Sequence, residues 1–158
     1  MKKREIVGIL NDVRSLHNVG SIFRTADGAG FLKLFLCGIT PTPLDRMGNV
    51  RQEFAKTALH AEKMVSWVYQ KSVTRVITKL KKEGFVVYAV EQSANSIPYT
   101  KLLKSQKKIA IIMGNEVDGI KKSILEKCDG ILEIPMHGGK ESLNVSVAFG
   151  IVAYELQR

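Results

Sequence analysis

Residues 141–156 read ESLNVSVAFGIVAYEL. Val145, Ala148, Phe149, Val152, Ala153 and Leu156 fall at helical spacing and form one apolar stripe. Val147, Ile151 and Tyr154 make the other side apolar too. A helix that is apolar nearly all round is buried on both sides. In a small domain, one side then meets a sheet and the other a second subunit. The helix is preceded by Ser142 and Asn144 alternating with apolar residues, and by IPMHGGK (134–140), a proline and two glycines. A loop of ligand-binding character therefore opens against the helix expected to lie deepest.

Working outward, EIVGIL (5–10), LKLFLCG (32–38), FVVYAV (85–90), KIAIIM (108–113) and GILEIP (130–135) read as strands. Val19, Ile22, Phe23 and Ala26 predict a helix with Asn18 as its cap and Gly28 and Gly30 as its stop. Residues 72–83 predict a second helix, with Lys79, Lys81 and Lys82 at the end where the helix dipole favours cations. Residues 121–128 predict a short third one. Residues 51–70 read as helical turns with an extended piece near Trp67, and ITPTPLDRMGNV (39–50) as a long loop. Strands alternating with helices predict an α/β fold, a mostly parallel sheet flanked by helices. No linker, repeat or low-complexity tract interrupts the sequence, so residues 1–158 are expected to form a single domain.

The 158 residues carry 24 Lys plus Arg against 15 Asp plus Glu, a net charge of +9, and 45% are apolar. That apolar content argues against disorder, and the charge favours polyanionic partners such as nucleic acid. Cys37 and Cys128 read as buried or half-buried thiols rather than a disulfide. No run reaches membrane-spanning length, and the apolar stretch of MKKREIVGIL is too short for a signal peptide. A cytoplasmic protein without a membrane partner is expected.

Three loops follow strand ends, where ligands of open α/β sheets gather: NDVRSLHNVGSIFR (11–24), MGNEVDGI (113–120) and MHGGKESLNVS (136–146). None is a dinucleotide fingerprint or a phosphate-binding P-loop, since the glycine pattern fails and Lys140 is followed by Glu141. The histidines and cysteines have no metal-ligand spacing, and no metal is expected. Gly114, Gly119, Gly138 and Gly139 either let backbone groups approach a flat ligand or simply form tight turns. Met113, Ile134, Met136 and Leu143 could wall such a ligand. Arg14 and Arg24 are either phosphate contacts or solvated cations. His17 reads as a loop hydrogen-bonding residue, and Glu116 as a partner for an arginine or a cap for the helix after it.

HNVGSIFRTAD (17–27), IIMGNEVDGI (111–120) and IPMHGGKESLNVSVA (134–148) resemble, in order and spacing, the three motifs of the SpoU-type (TrmH-like) RNA 2′-O-ribose methyltransferases of the SPOUT superfamily. The resemblance runs over nearly the whole chain. It implies a parallel α/β fold with a C-terminal trefoil knot, a homodimer, and S-adenosylmethionine as cofactor. It implies functional positions at Asn18 and Arg24 in the first motif, Glu116 in the second, and Ser142 and Asn144 in the third. Cofactor contacts are implied at Gly114, Ile134 and Leu143, with Met113 and Met136 beside them. Arg24 would act as base or electrostatic stabiliser, oriented by Glu116 and Asn18. The expected substrate is RNA, tRNA ahead of rRNA. The chain resembles a bare catalytic domain without an added RNA-binding domain, so Arg14, Arg46, Arg51, Lys56 and the lysines at 79–82 are candidates to grip RNA. The alternatives are an inactive RNA-binding module of the same fold and a base-methylating SPOUT enzyme.

Overall fold

The structure, a computed structural model, describes residues 3–102 and 104–158. Its centre is the pair β1 (Glu5–Asn11) and β6 (Lys108–Met113), whose apolar runs are buried on both faces, as parallel strands between two helical layers require. Around them lie β2 (Lys33–Cys37), β3 (Ser66–Gln70), β4 (Val86–Val90), β5 (Ile97–Pro98) and β7 (Gly130–Glu133). The order is β3-β2-β1-β6-β4-β7-β5, and every pairing is parallel. The expected fold class is the observed one. β5 escapes the sequence pattern because it is two residues long, and its Pro98 is tolerated only because the strand is an edge.

Period-two alternation sends Ile6 and Leu10 to one face of the sheet and Val7 and Ile9 to the other. The first face is covered by α1 (Leu16–Gly28), α2 (Gln52–Ala58) and α5 (Val145–Glu155). There Phe23 meets Phe54 edge-on at 5.1 Å between ring centroids, and Phe31 meets Phe149 at the same distance. Buried aromatic rings of this kind contribute on the order of 2 kcal/mol each. The second face is covered by α3 (Val73–Lys82) and α4 (Lys122–Leu125), through Val76, Ile77, Leu80 and Ile124.

The helix ends follow local chemistry. Ser72 caps α3, and Gly84, with φ of +88°, turns the chain away after it. Asn144 caps α5 by accepting from the N–H groups of Ser146 and Val147. α1 begins three residues earlier than its apolar stripe predicts. Its cap is Ser15, which accepts from the Asn18 N–H, so Asn18 lies inside the helix with its side chain free for other partners. α5 buries Val145, Phe149, Val152 and Ala153 but leaves Val147 and Tyr154 about half exposed. Its second apolar side is thus uncovered within one chain. No helix among the described residues is long and apolar enough to cross a membrane.

Candidate active site

The carboxyl ends of β4, β6 and β7 open onto one cleft of about 750 Å³, counted out to open solvent. Val90, Met113, Ile134, Met136, Leu143 and Ala148 give it apolar walls. Its rim carries Glu91, Glu116 and Glu133, with no lysine, arginine or histidine among the lining residues. On a chain of net charge +9 this is a local inversion of sign, and such a cleft favours a cationic ligand. All five expected cofactor positions, Met113, Gly114, Ile134, Met136 and Leu143, line it, as do Glu116 and Ser142.

The three sequence motifs are joined beside this cleft by a chain of hydrogen bonds. Glu116 Oε1 accepts from the Ser15 N–H at 3.0 Å and from Asn18 Nδ2 at 3.3 Å, while Oε2 accepts from the Arg14 N–H at 3.1 Å. Asn18 Oδ1 in turn accepts from Asn144 Nδ2 at 3.2 Å. Asn144 Oδ1 closes the chain by capping α5, accepting from Ser146 N–H and Oγ at 2.9 and 2.6 Å. Partial burial pushes the Glu116 carboxyl up. The N–H groups of Ser15, Arg14 and its own residue, with the Asn18 amide, more than offset this and hold it below its ordinary value. Among the described residues Glu116 therefore pairs with no arginine side chain, and it does not cap the helix after it. It secures the entry to α1, one hundred positions earlier in the chain.

Arg24 is not part of this cluster. It lies six residues beyond Asn18, roughly 9 Å along the helix axis and about 120° around it. Its side chain is exposed and makes no hydrogen bond or ion pair among the described residues. Glu116 and Asn18 thus orient each other and Asn144, not the Arg24 of their own chain. Ser142 is exposed at the cleft and makes no hydrogen bond among the described residues. His17 lies in α1 and not in a loop: its ring is exposed, 3.9 Å from Glu53, and makes no hydrogen bond among the described residues, while its carbonyl accepts from Thr57 Oγ1.

The glycines have reasons of their own. A Cβ at Gly114 would lie 2.5 Å from Ile120 Cγ1 and 2.7 Å from the Gly119 carbonyl carbon. Gly119 has φ of +66°, and its Cβ would meet a Glu91 oxygen at 2.3 Å. Gly114 is demanded by packing of the loop on itself, and Gly119 by its positive φ and the close approach of Glu91. Gly138 and Gly139 face open space instead.

Sequence reasoning missed four polar residues. Asn115 accepts from the Val117 and Asp118 N–H groups and donates to the Asp12 carbonyl, tying the second loop to the first. Glu91 accepts from the Ile120 N–H at 3.0 Å, and Gln92 Nε2 donates to the Glu141 carbonyl at 2.6 Å. Glu133 lines the cleft at the end of β7. Asn115 was open to discovery, since an asparagine opening a tight turn is a common Asx arrangement. The others follow ordinary strands, and no local pattern marks them.

Of the RNA-contact candidates, Arg51 is half-buried with its Nε donating to the Thr42 carbonyl, Lys56 pairs with Glu53, and Lys81 pairs with Asp129. Arg14, Arg46, Lys79 and Lys82 remain exposed. Cys37 and Cys128 are free thiols, as expected, and burial pushes them up to about 12 and about 11. Among the described residues no group of three or more His, Cys, Asp or Glu is placed to hold a metal ion.

A parallel α/β sheet with an acid-rimmed cleft at its carboxyl edge, knitted to two helix N-termini, defines a ligand-binding α/β domain of the enzyme kind. The model of the SpoU rRNA methylase family matches residues 5–154, and the chain belongs to that family. It is 34% identical over 161 residues to the 23S rRNA (guanosine-2'-O-)-methyltransferase RlmB of Coxiella burnetii, covering 100% of this chain and 61% of that protein. An AdoMet-bound rRNA methyltransferase from Sinorhizobium meliloti superposes with a TM-score of 0.86 at 25% identity, over 98% of this chain and 56% of that one. The A. aeolicus TrmH/SpoU tRNA modifying enzyme superposes with a TM-score of 0.83 at 26% identity, over 99% of this chain and 75% of that one. The chain spans about three fifths of the length of the curated relatives it matches.

Proposed function

We propose that this chain transfers a methyl group from S-adenosylmethionine to a ribose 2′-hydroxyl of RNA. The observation that carries the reading is the acid-rimmed cleft on a strongly basic chain, beside which hydrogen bonds join the three motifs. Its residues fit the cofactor: apolar walls for a flat base, and a rim of Glu91, Glu116 and Glu133 for a sulfonium and an ammonium. When bound, the cofactor supplies a methyl group already activated by the positive sulfur. Family membership and the names of the relatives support the same chemistry.

The protein's own work is then to position the sugar and ease loss of its proton. Ser142, exposed beside the cleft, is placed to contact substrate. Arg24 is assigned the phosphate and the developing oxyanion, since a guanidinium is a reluctant base. Arg24 is exposed and does not line its own cleft, which supports a homodimer in which α1 of one protomer serves the cleft of its partner. Gly28, one turn beyond Arg24 on the same stripe, lies against the Tyr154 hydroxyl of α5. The uncovered Val147 and Tyr154 side of α5 is thus continuous with the Arg24 face and forms the interface. The knot belongs to the same reading. It is supported by the strand order, in which β6 lies inside β4, and by the return of α5 onto α1.

Relatives named for 23S rRNA make rRNA the first substrate to test, ahead of the tRNA the sequence suggested. A cytoplasmic location goes with this reading. The test is transfer of labelled methyl to RNA from cells lacking the gene, followed by nucleoside mass spectrometry. Loss of one 2′-O-methyl mark in those cells and its restoration in vitro is expected. A methylated base would replace this reading with the base-methylating alternative, and no transfer with intact cofactor binding would favour an RNA-binding module. Arg24→Ala is expected to lower transfer at least 100-fold while cofactor affinity stays within twofold. Residual activity near wild type would remove Arg24 from the mechanism.

A further inference from the structure

Two loops line the cleft, and they are held very differently. Residues 137–144 are all exposed, and Gly138 and Gly139 have no neighbour within 4 Å of where a Cβ would sit. Between Pro135 and Leu143, among the described residues, one hydrogen bond ties the loop to the rest of the chain: Gln92 Nε2 to the Glu141 carbonyl. Gln92 stands just past the end of β4, and its own N–H donates to Glu91 Oε1 at 2.9 Å. The other Glu91 oxygen accepts from the Ile120 N–H in the tightly packed loop. The dipeptide Glu91-Gln92 therefore links the fixed loop to the open one across the cleft that both residues line.

We propose that Gln92 is a positioning residue for the cofactor, a strap that draws the open loop over the cleft and holds Ser142 and Leu143 against the ligand. Glu91 aims it. The inference rests on the cofactor reading above and adds residues that lie outside all three motifs. A carboxamide suits this role because its N–H₂ end can donate to a backbone carbonyl, whereas a carboxylate of the same shape can only accept. With its side chain exposed, Gln92 adds little to the folded core, so its effect is expected in binding rather than stability.

The test uses the full chain with Gln92→Ala and the isosteric Gln92→Glu. Calorimetry with S-adenosylmethionine is expected to show both variants binding about tenfold more weakly, the loss of one good hydrogen bond. Melting temperatures should match the wild type. Trypsin cleavage after Lys140 in the open loop should speed up in both variants without any ligand present. Wild-type affinity in Q92E would overturn the proposal, because it would show that the donated bond does nothing. Equal loss of melting temperature and affinity would overturn it too, making Gln92 a structural residue only. If the wild-type chain itself fails to bind S-adenosylmethionine, the cofactor reading falls and the positioning role falls with it. The cleavage experiment then still decides whether the strap exists.

Discussion

The loops at 114–120 and 135–143 follow strands of the same sheet and face the same cleft, yet they are built on opposite plans. The first is over-determined. Gly114 packs against Gly119 and Ile120, the Asn115 side chain folds the turn, and Glu91 receives the Ile120 N–H. Glu116 extends that rigidity into α1. The second is exposed and is fixed at its end by the Asn144 cap and midway by Gln92. A site needs both: fixed groups hold the geometry of catalysis, while an open segment lets a ligand enter and leave. The division also sorts the glycines, which look alike in the sequence and do different work.

Substituting those glycines gives the widest separation. Gly114→Ala drives a Cβ into backbone and the Ile120 side chain, so a loss of about 3 kcal/mol is expected. Gly139→Ala adds a methyl to open space and should stay within about 0.5 kcal/mol of wild type. Urea denaturation of the two variants reads the difference, and equal stabilities would erase the contrast between the loops. Asn144→Ala comes next. It removes the α5 cap and the bond to Asn18, and about 1 kcal/mol of destabilisation is expected. Methyl transfer should fall further than stability does, since the third motif would no longer be registered to the first.

The contrast between the loops explains what the sequence disclosed. Stripes in α1, α3 and α5 were legible because burial on one face imposes a 3.6-residue period. The continuous apolar runs of β1 and β6 were legible because both their faces are covered. The resemblance located Asn18, Glu116 and Asn144, and they do meet across 98 and 126 positions. Their partners were not legible. Glu116 binds the backbone N–H groups of Arg14 and Ser15, and a sequence does not show which N–H groups a loop leaves free. Gln92 escaped for the same reason, its partner being the carbonyl of Glu141. Arg24 shows the converse case: its motif implies a role at the site, yet it stands on the exposed stripe of α1, outside the residues that line the cleft.

The smallest expected effect tests the fixed side of the comparison alone. Glu116 is held below its ordinary 4.5 because the charged form is the one that receives the α1 N–H groups. A group with a lowered folded value adds stability above its unfolded value and loses it as pH falls through the folded one. Wild-type stability should therefore carry a component that fades only below about pH 4.5. Glu116→Gln has no charge to lose, and its amide nitrogen would face N–H donors. The difference between the two proteins should be constant from pH 8 to 5 and shrink toward pH 3. Because Glu116 is exposed to water, this difference is expected to be small, and it is best read from urea midpoints collected across that range. A difference that stayed flat to pH 3 would mean the carboxylate does not secure α1. The joint between the second motif and the first would then rest on Asn115 and the Asp12 carbonyl instead.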